Sequence, residues 1–287
     1  MKIQLSMRGR NLIKGYLFVL PWIIGFAVFT IYPIIYSVII SLNDIKLIPD
    51  GIVMKWMGLG FYNRALNVDT SFKPAIGNTV FMILCFLPII IVFSLVIALL
   101  LCGKYKFRTF FRAVFFLPVI IMSGPVISSL LTNHTADFTK LSPLVFDFIN
   151  SLPSVFSTPI LYILNNLVLI LWFSGIQILM FLSGIQKISP DLYEAADIDG
   201  AGNWEKFWKI TLPHLYPFIG ICAAYTVIDL AAYPNNDVNM LITKHMFDYD
   251  ALYSYSAAMS WIYLGIIVLM FAALYLLFII FGRQKQR

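Results

Sequence analysis

Long stretches without a charged residue alternate along this chain with short, polar, mostly basic segments. The charge-free runs extend from Gly15 to Asn43, Pro74 to Gly103, Ala113 to Ala136, Phe148 to Gln186, Ile210 to Ile228 and Ala251 to Gly282. A membrane-spanning helix needs about 20 consecutive apolar residues. Each run can hold one, with the fifth continuing past Asp229 to Tyr233. The first part of the fourth run, Asn150 through Pro159, is punctuated by Pro and Ser and reads as an outer loop or surface-lying segment. The pattern therefore predicts an all-α membrane protein with about six transmembrane helices in one domain over residues 1–287. Its spans fall near 15–43, 76–102, 113–132, 160–186, 213–233 and 258–282. A β-barrel would alternate in short segments instead.

Composition supports the same class. Charged residues make up 12% of the chain, against about 25% in a typical soluble domain, so a water-facing surface of this size is excluded. Cys85, Cys102 and Cys222 all lie in or beside apolar runs. They form neither a disulfide framework nor a metal-ligand spacing, and read as packing residues. The basic N-terminal segment precedes an apolar run longer than a signal peptide's, so the first span is expected to be retained.

The net charge is +6, and its distribution sets the topology rather than pointing to nucleic acid. One side carries Lys2, Arg8, Arg10 and Lys14, then Lys104, Lys106, Arg108 and Arg112 in a short link, then Lys187, Lys206 and Lys209, and finally Arg283, Lys285 and Arg287. The other side carries Lys46, Lys55, Arg64 and Lys73 and then only Lys140 and Lys244. The positive-inside rule places both termini and the 187–212 loop in the cytoplasm.

That loop, between the fourth and fifth spans, holds both glutamates of the chain. Ser189-Pro190-Asp191 is a helix start: Ser can cap, Pro fits the first turn and Asp complements the positive helix end. The helix is expected to run through Tyr193, Glu194, Ala195, Ala196 and Ile198 and to end at Asp199-Gly200, where Gly takes the left-handed conformation. Asn203 is the expected cap of a second helix, Trp204 to Ile210, closed by Leu212-Pro213. Two such short helices need a docking surface. Ala195 and Ala196 allow close approach, and Tyr193, Ile198, Phe207 and Trp208 supply apolar anchors. Packing under the chain's own helices would also satisfy them.

Glu194-Ala195-Ala196, Gly200 four residues on, and Ile210-Thr211-Leu212-Pro213 together resemble the EAA loop of binding-protein-dependent ABC importer permeases. Leu17-Phe18-Val19-Leu20-Pro21, Tyr32-Pro33, Asn78-Thr79 and Phe115-Phe116-Leu117-Pro118 resemble the carbohydrate-uptake branch, of the maltose and glycerol-phosphate type. The resemblance implies a coupling helix seated in a cleft of a cytoplasmic ATPase dimer. Tyr193, Glu194, Ala195, Ala196, Asp199, Gly200, Leu212 and Pro213 would be the ATPase-coupling residues. It also implies a second, different permease subunit, an extracellular or periplasmic solute-binding protein, and a place in the bacterial plasma membrane. Where such permeases often carry Gly-Gly-Pro after the fifth span, this chain reads Tyr233-Pro234-Asn235-Asn236, which leaves the substrate class open.

The sequence has no phosphate-binding loop, since Gly103-Lys104 lacks the upstream glycine and following hydroxyl. The chain is therefore expected to be no enzyme and to bind no cofactor or metal, with ATP and Mg held on the partner ATPase subunits.

Candidates for a substrate path are Tyr225, Asp229 and Tyr233, spaced by four on one helix face, and Asn166 and Gln177. Asp229 counts roughly 20 Å along its helix from Leu215. An intramembrane carboxylate is a functional candidate, although near the interface it can simply cap or anchor. Asn166 and Gln177 fall within ~20° on the helical wheel, with Gly184 and Ser174 near that line. This stripe fits either a translocation path or contact with a second membrane subunit. No Lys or Arg lies deep in a span, which leans toward a neutral, hydroxyl-rich substrate such as a sugar or oligosaccharide. The rival reading is a stand-alone secondary transporter or channel; a membrane enzyme finds no clustered His, Cys or paired carboxylates.

Overall fold

A computed structural model describes residues 7–48, 51–103, 149–246 and 253–283. The expected third span, 113–132, and the Phe115-Phe116-Leu117-Pro118 motif lie outside these residues. The described helices are α1 (Met7–Phe26), α2 (Tyr32–Leu42), α3 (Gly60–Asn63), α4 (Phe72–Cys102), α5 (Ser154–Asn165), α6 (Leu167–Gln186), α7 (Pro190–Ile198), α8 (Asn203–Lys206), α9 (Leu212–Ala231), α10 (Asp237–Met246) and α11 (Ser254–Arg283). Strands β1 (Asn43–Ile48) and β2 (Gly51–Trp56) pair antiparallel. Five described segments are long and apolar enough to cross a membrane: Gly15–Leu42, Phe72–Cys102, Leu167–Gln186, Asn203–Ala231 and Ser254–Ile280.

Wide π-helical turns join α1 to α2 (Ala27–Ile31) and α8 to α9 (Phe207–Thr211), each just ahead of a proline, Pro33 or Pro213. A proline ring collides with the carbonyl four residues back, and widening the preceding turn relieves the collision without ending the helix. Pro213 therefore does not close the loop's second helix, as the sequence suggests. The helical segment runs unbroken from Asn203 to Ala231.

Two other boundaries differ from expectation. Of the segment expected as outer loop or surface-lying, residues from Ser154 on are helical through Asn165, and the helix of the expected 160–186 span starts at Leu167 because Asn166 (φ −107°, ψ 13°) breaks the run. The hairpin Asn43–Trp56 is the element that an all-helical reading misses.

The described chain forms two compact units. In the first, residues up to 75 gather with 240–265. Asp69 caps α4 by accepting from the Ser71 N–H (2.8 Å), the Ser71 hydroxyl (2.6 Å) and the Phe72 N–H (3.3 Å). The buried Tyr255 at the start of α11 donates to its other oxygen at 2.5 Å. Burial alone would raise the Asp69 pKa; these donors outweigh it and hold the carboxyl at about 2. The Arg64 guanidinium lies 4.7 Å from the centre of the Tyr255 ring, and the Ile45 N–H donates to Ser254 Oγ at 3.2 Å.

In the second unit, α4, α6 and α9 share a core of Ala98, Leu101, Ile178, Phe181, Leu182 and Cys222. Gly184 permits the tightest approach: a Cβ there would stand 2.8 Å from Leu215 Cδ2 and 3.0 Å from the Phe218 ring.

Candidate functional site

Local chemistry builds α7 as read from the sequence. The Ser189 hydroxyl accepts from the Asp191 N–H at 3.3 Å, and Pro190 occupies the first turn. At the other end Asp199 is the C-cap and Gly200 turns left-handed, at φ +78°. The Ala201 N–H reaches the Ala196 carbonyl (2.9 Å) and the Gly200 N–H reaches that of Asp197 (3.1 Å). This is the paired hydrogen-bond pattern that glycine at this position allows. The cap of the next helix is Gly202 rather than Asn203. Glu205 supplies the missing side chain by reaching back to the Gly202 N–H at 3.4 Å.

The sequence did not reveal what fixes α7 to the start of α9. The Tyr193 hydroxyl bonds that of Thr211 at 2.9 Å, where Thr211 is buried and also donates to the Lys206 carbonyl at 3.4 Å. Lys206 pairs with Asp197 at 2.6 Å. Glu194, Ala195, Asp199 and Gly200 are exposed, Ala196, Leu212 and Pro213 half-buried. Ile198 and Trp204 are 87% and 72% exposed, and Leu192 and Trp208 also face outward. A cavity of about 350 Å³ lies beside them, lined by Ala196, Asp199, Ala201, Glu205, Lys206, Lys209 and Ile210. The loop thus presents apolar side chains and a concave polar patch on a backbone that its own bonds hold.

Of the substrate-path candidates, Tyr225 and Asp229 lie within electrostatic reach of each other, whereas Gln177 and Tyr233 are packed into the interior. Gln177 is fully buried between α6 and α9, where its amide donates to Thr226 Oγ1 at 2.9 Å. The Thr226 hydroxyl in turn donates a hydrogen bond to the Cys222 carbonyl at 2.8 Å. The Gln177 carbonyl oxygen has no partner among the described residues. Asn166 sits at the break and donates to the Tyr162 carbonyl at 2.8 Å. Tyr233 is buried edge-on to Trp172 (5.9 Å) and Phe173 (5.6 Å), leaving Tyr225 and Asp229 half-exposed. Asp229 makes no hydrogen bond or ion pair among the described residues. The shared face of Tyr225, Asp229 and Tyr233 is thus split by packing that helical spacing does not encode.

The Asn235-Asn236 departure has a structural use. Asn236 donates to the carbonyls of Ala231 (2.9 Å) and Leu230 (3.4 Å) and accepts from the Asn239 N–H (2.7 Å). The Asn239 side chain covers Ala231 and Tyr233 carbonyls at 2.9 and 2.8 Å. Asn78 meets Asp237 at 2.9 Å. Among the described residues no group of three His, Cys, Asp or Glu could hold a metal ion.

No family model matches the chain. The trehalose/maltose transport system permease protein MalF of Thermococcus litoralis is 30% identical over 233 residues, 78% of this chain and 75% of that protein. The probable ABC transporter permease protein YesP of Bacillus subtilis is 28% identical over 285 residues, 93% of this chain and 90% of the relative. The lactose transport system permease protein LacF of Rhizobium radiobacter is 28% identical, with 96% and 95% covered. Among solved structures, a bacterial ABC transporter involved in the import of the acidic polysaccharide alginate superposes with a TM-score of 0.67 at 20% identity, over 94% of this chain and 96% of that one. A bacterial alginate ABC transporter in complex with an alginate pentasaccharide-bound periplasmic protein also superposes with a TM-score of 0.67 at 20% identity, over 92% of this chain and 93% of that one.

Proposed function

The chain belongs to the permease subunits of sugar-transporting ABC systems, and on that premise we propose that it is the translocating subunit of an ATP-driven importer for a sugar or oligosaccharide. In this reading α7 seats in a cleft of a cytoplasmic ATPase dimer, which binds the ATP and Mg. A second, different permease subunit completes the path, and a solute-binding protein delivers substrate from outside. Both termini are cytoplasmic, as the lysine and arginine distribution supports, and the membrane is the bacterial plasma membrane, as the permease relatives support. The periplasmic protein bound to the alginate transporter supports the delivery step. Spans without deep Lys or Arg support a neutral, hydroxyl-rich cargo.

The observation that carries the proposal is the loop itself. A nine-residue helix has little stability of its own. Here it is locked by Ser189, Gly200 and the Tyr193–Thr211 and Asp197–Lys206 ties. Even so it leaves Leu192, Ile198, Trp204 and Trp208 outward. Apolar groups on a rigid frame are suited to a preformed groove. The ties make the second step: when the ATPase closes and displaces α7, the start of α9 must follow. The α6–α9 packing at Gly184 and the Gln177–Thr226 bond carry that displacement into the membrane.

Replacing Gly200 by Ala puts a side chain at φ +78°, a strain of roughly 1–2 kcal/mol, so uptake should fall about tenfold. Glu194→Ala tests the exposed face. In the purified complex, both variants should lose substrate-stimulated ATP hydrolysis and uptake together. Retention of both activities with full ATPase association would remove the coupling role. Uptake by this chain alone in liposomes under an ion gradient would instead favour a stand-alone transporter.

A further inference from the structure

One cavity lies wholly inside the first unit, between α2, the end of α10 and the start of α11, with a volume of about 470 Å³. Ile34, Ser37, Tyr253, Ser256, Trp261 and Leu264 are among its walls. Three observations distinguish it from a packing gap. Ser256 is only 4% exposed, yet its hydroxyl has no hydrogen-bond partner among the described residues. The other two serines of the wall return to their own helices: Ser37 donates to the Ile34 carbonyl at 2.7 Å, Ser260 to that of Ser256 at 2.8 Å. A buried hydroxyl left unpaired is unfavourable, so Ser256 is a donor available to whatever enters. Next, Tyr253 holds a left-handed backbone, φ +55°, beside the cavity. A tyrosine pays for that conformation only where the surroundings impose it, and such residues gather at ligand clamps.

The third observation is depth. The Ile45–Ser254 bond sets the end of α2 beside the start of α11. Measured inward from those two ends at 1.5 Å per residue, Ile34 lies about 12 Å down and Trp261 about 10 Å. Both depths stay within one leaflet, whose share of a hydrocarbon layer about 30 Å thick is about 15 Å. Ile34 and Leu264 on the rim are half-exposed, so the cavity is open along the apolar sides of α2 and α11.

We propose that this crevice binds one phospholipid of the leaflet that meets these helix ends. An acyl chain lies along Ile34, Trp261 and Leu264, and the Ser256 hydroxyl donates to the ester carbonyl at the head of that chain. The inference depends on the membrane-spanning character of α2 and α11 and not on the identity of the cargo or the ATPase.

The test uses the complete complex in vesicles of phosphatidylethanolamine and phosphatidylglycerol doped with a phosphatidylcholine that carries a photoreactive diazirine on one acyl chain. Illumination should label residues 256–261. Ala257→Trp, which fills the crevice, should reduce that labelling about fivefold or more, equivalent to roughly 1 kcal/mol of lost affinity. Labelling of the exposed Val28 and Phe29 should not change. Ser256→Ala keeps the shape and removes the donor; it should weaken the labelling less, while leaving the chain in place. Labelling at 256–261 that Ala257→Trp leaves intact would overturn the proposal. So would labelling that the transported sugar displaces, or cross-linking of this segment to the second permease subunit in place of lipid.

Discussion

The two ends of α9 handle polar and apolar side chains in opposite ways. At the α7 end, Tyr193, Thr211, Asp197 and Lys206 are bonded to one another, and the large apolar groups Ile198, Trp204 and Trp208 face outward. At the far end, Asn236 and Asn239 are turned onto the last carbonyls of the helix, and Tyr233 is buried against Trp172 and Phe173. The first end leaves large apolar groups exposed, and the second closes on itself. The usual expectation of exposed polar and buried aromatic residues is therefore reversed here: the asparagines are caps and the tryptophans are exposed.

The seam between α6 and α9 should give the largest effect, because the comparison treats it as the link between the ends. A side chain at Gly184 would run into Leu215 and Phe218. Overpacking typically costs about 1–3 kcal/mol. Gly184→Ala should fall in that range and Gly184→Leu above it, both measured by thermal unfolding in detergent. If Gly184→Leu leaves the unfolding temperature unchanged, the two helices are not tightly joined there and motion of α7 has another route inward.

Asn236→Ala comes next. It removes one donor from each of the Leu230 and Ala231 carbonyls, which keep the Tyr233 N–H and the Asn239 amide, and it leaves the Asn239 N–H without its acceptor. The expected loss is about 2 kcal/mol, from the 1–3 kcal/mol of a buried polar group left unpaired. ATPase association and the ratio of uptake to ATP hydrolysis should not move. A change in that ratio at unaltered stability would show the far end to be more than a self-contained turn.

Midway along the helix, the Gln177–Thr226 bond should be worth about 0.6–1.7 kcal/mol in a double-mutant cycle with Gln177→Leu and Thr226→Val. Thr226→Val alone should be worse than the pair, because it leaves the buried amide with no partner. Gln177→Leu also removes the unpaired carbonyl oxygen, which offsets part of its cost. A single Thr226→Val as stable as the parent would place water or another chain against Gln177.

These differences follow the range of the forces involved. The limits of α7 are legible because Ser189, Pro190 and Gly200 act on their own neighbours. The apolar runs likewise mark the long helices, since length and hydropathy are summed locally. Pro213 misleads because a wide turn over Phe207–Thr211 absorbs it. Asn203 misleads because Glu205, three residues past Gly202, supplies the cap from within the helix. The hairpin had a visible alternation in Asp44-Ile45-Lys46-Leu47, but Ile45 acquires its burial from segments near Ser254, far away in sequence. Gln177 and Tyr233 are the hardest cases. The direction of each depends on Thr226, Trp172 or Phe173 on another helix, and spacing along one helix is silent about that.

The smallest effect separates the two ties of the loop. Asp197 and Lys206 form a 2.6 Å pair, but the Asp197 side chain is 62% exposed. A surface pair contributes about 0–1 kcal/mol. Tyr193–Thr211 has one partner buried at 4% exposure, and such a bond contributes about 1 kcal/mol. Tyr193→Phe should therefore lower the stability of the loop measurably, while Asp197→Asn should stay within about 0.5 kcal/mol of the parent. Hydrogen exchange at the amides of 193–201 in the assembled complex reads both. Raising the salt concentration should shrink the difference between Asp197→Asn and the parent, since exposed charges are screened. If Asp197→Asn uncouples ATP hydrolysis from uptake while exchange stays unchanged, the charge of Asp197 meets the partner directly, and the outward-facing surface of α7 extends to a polar side that its apolar groups alone do not reveal.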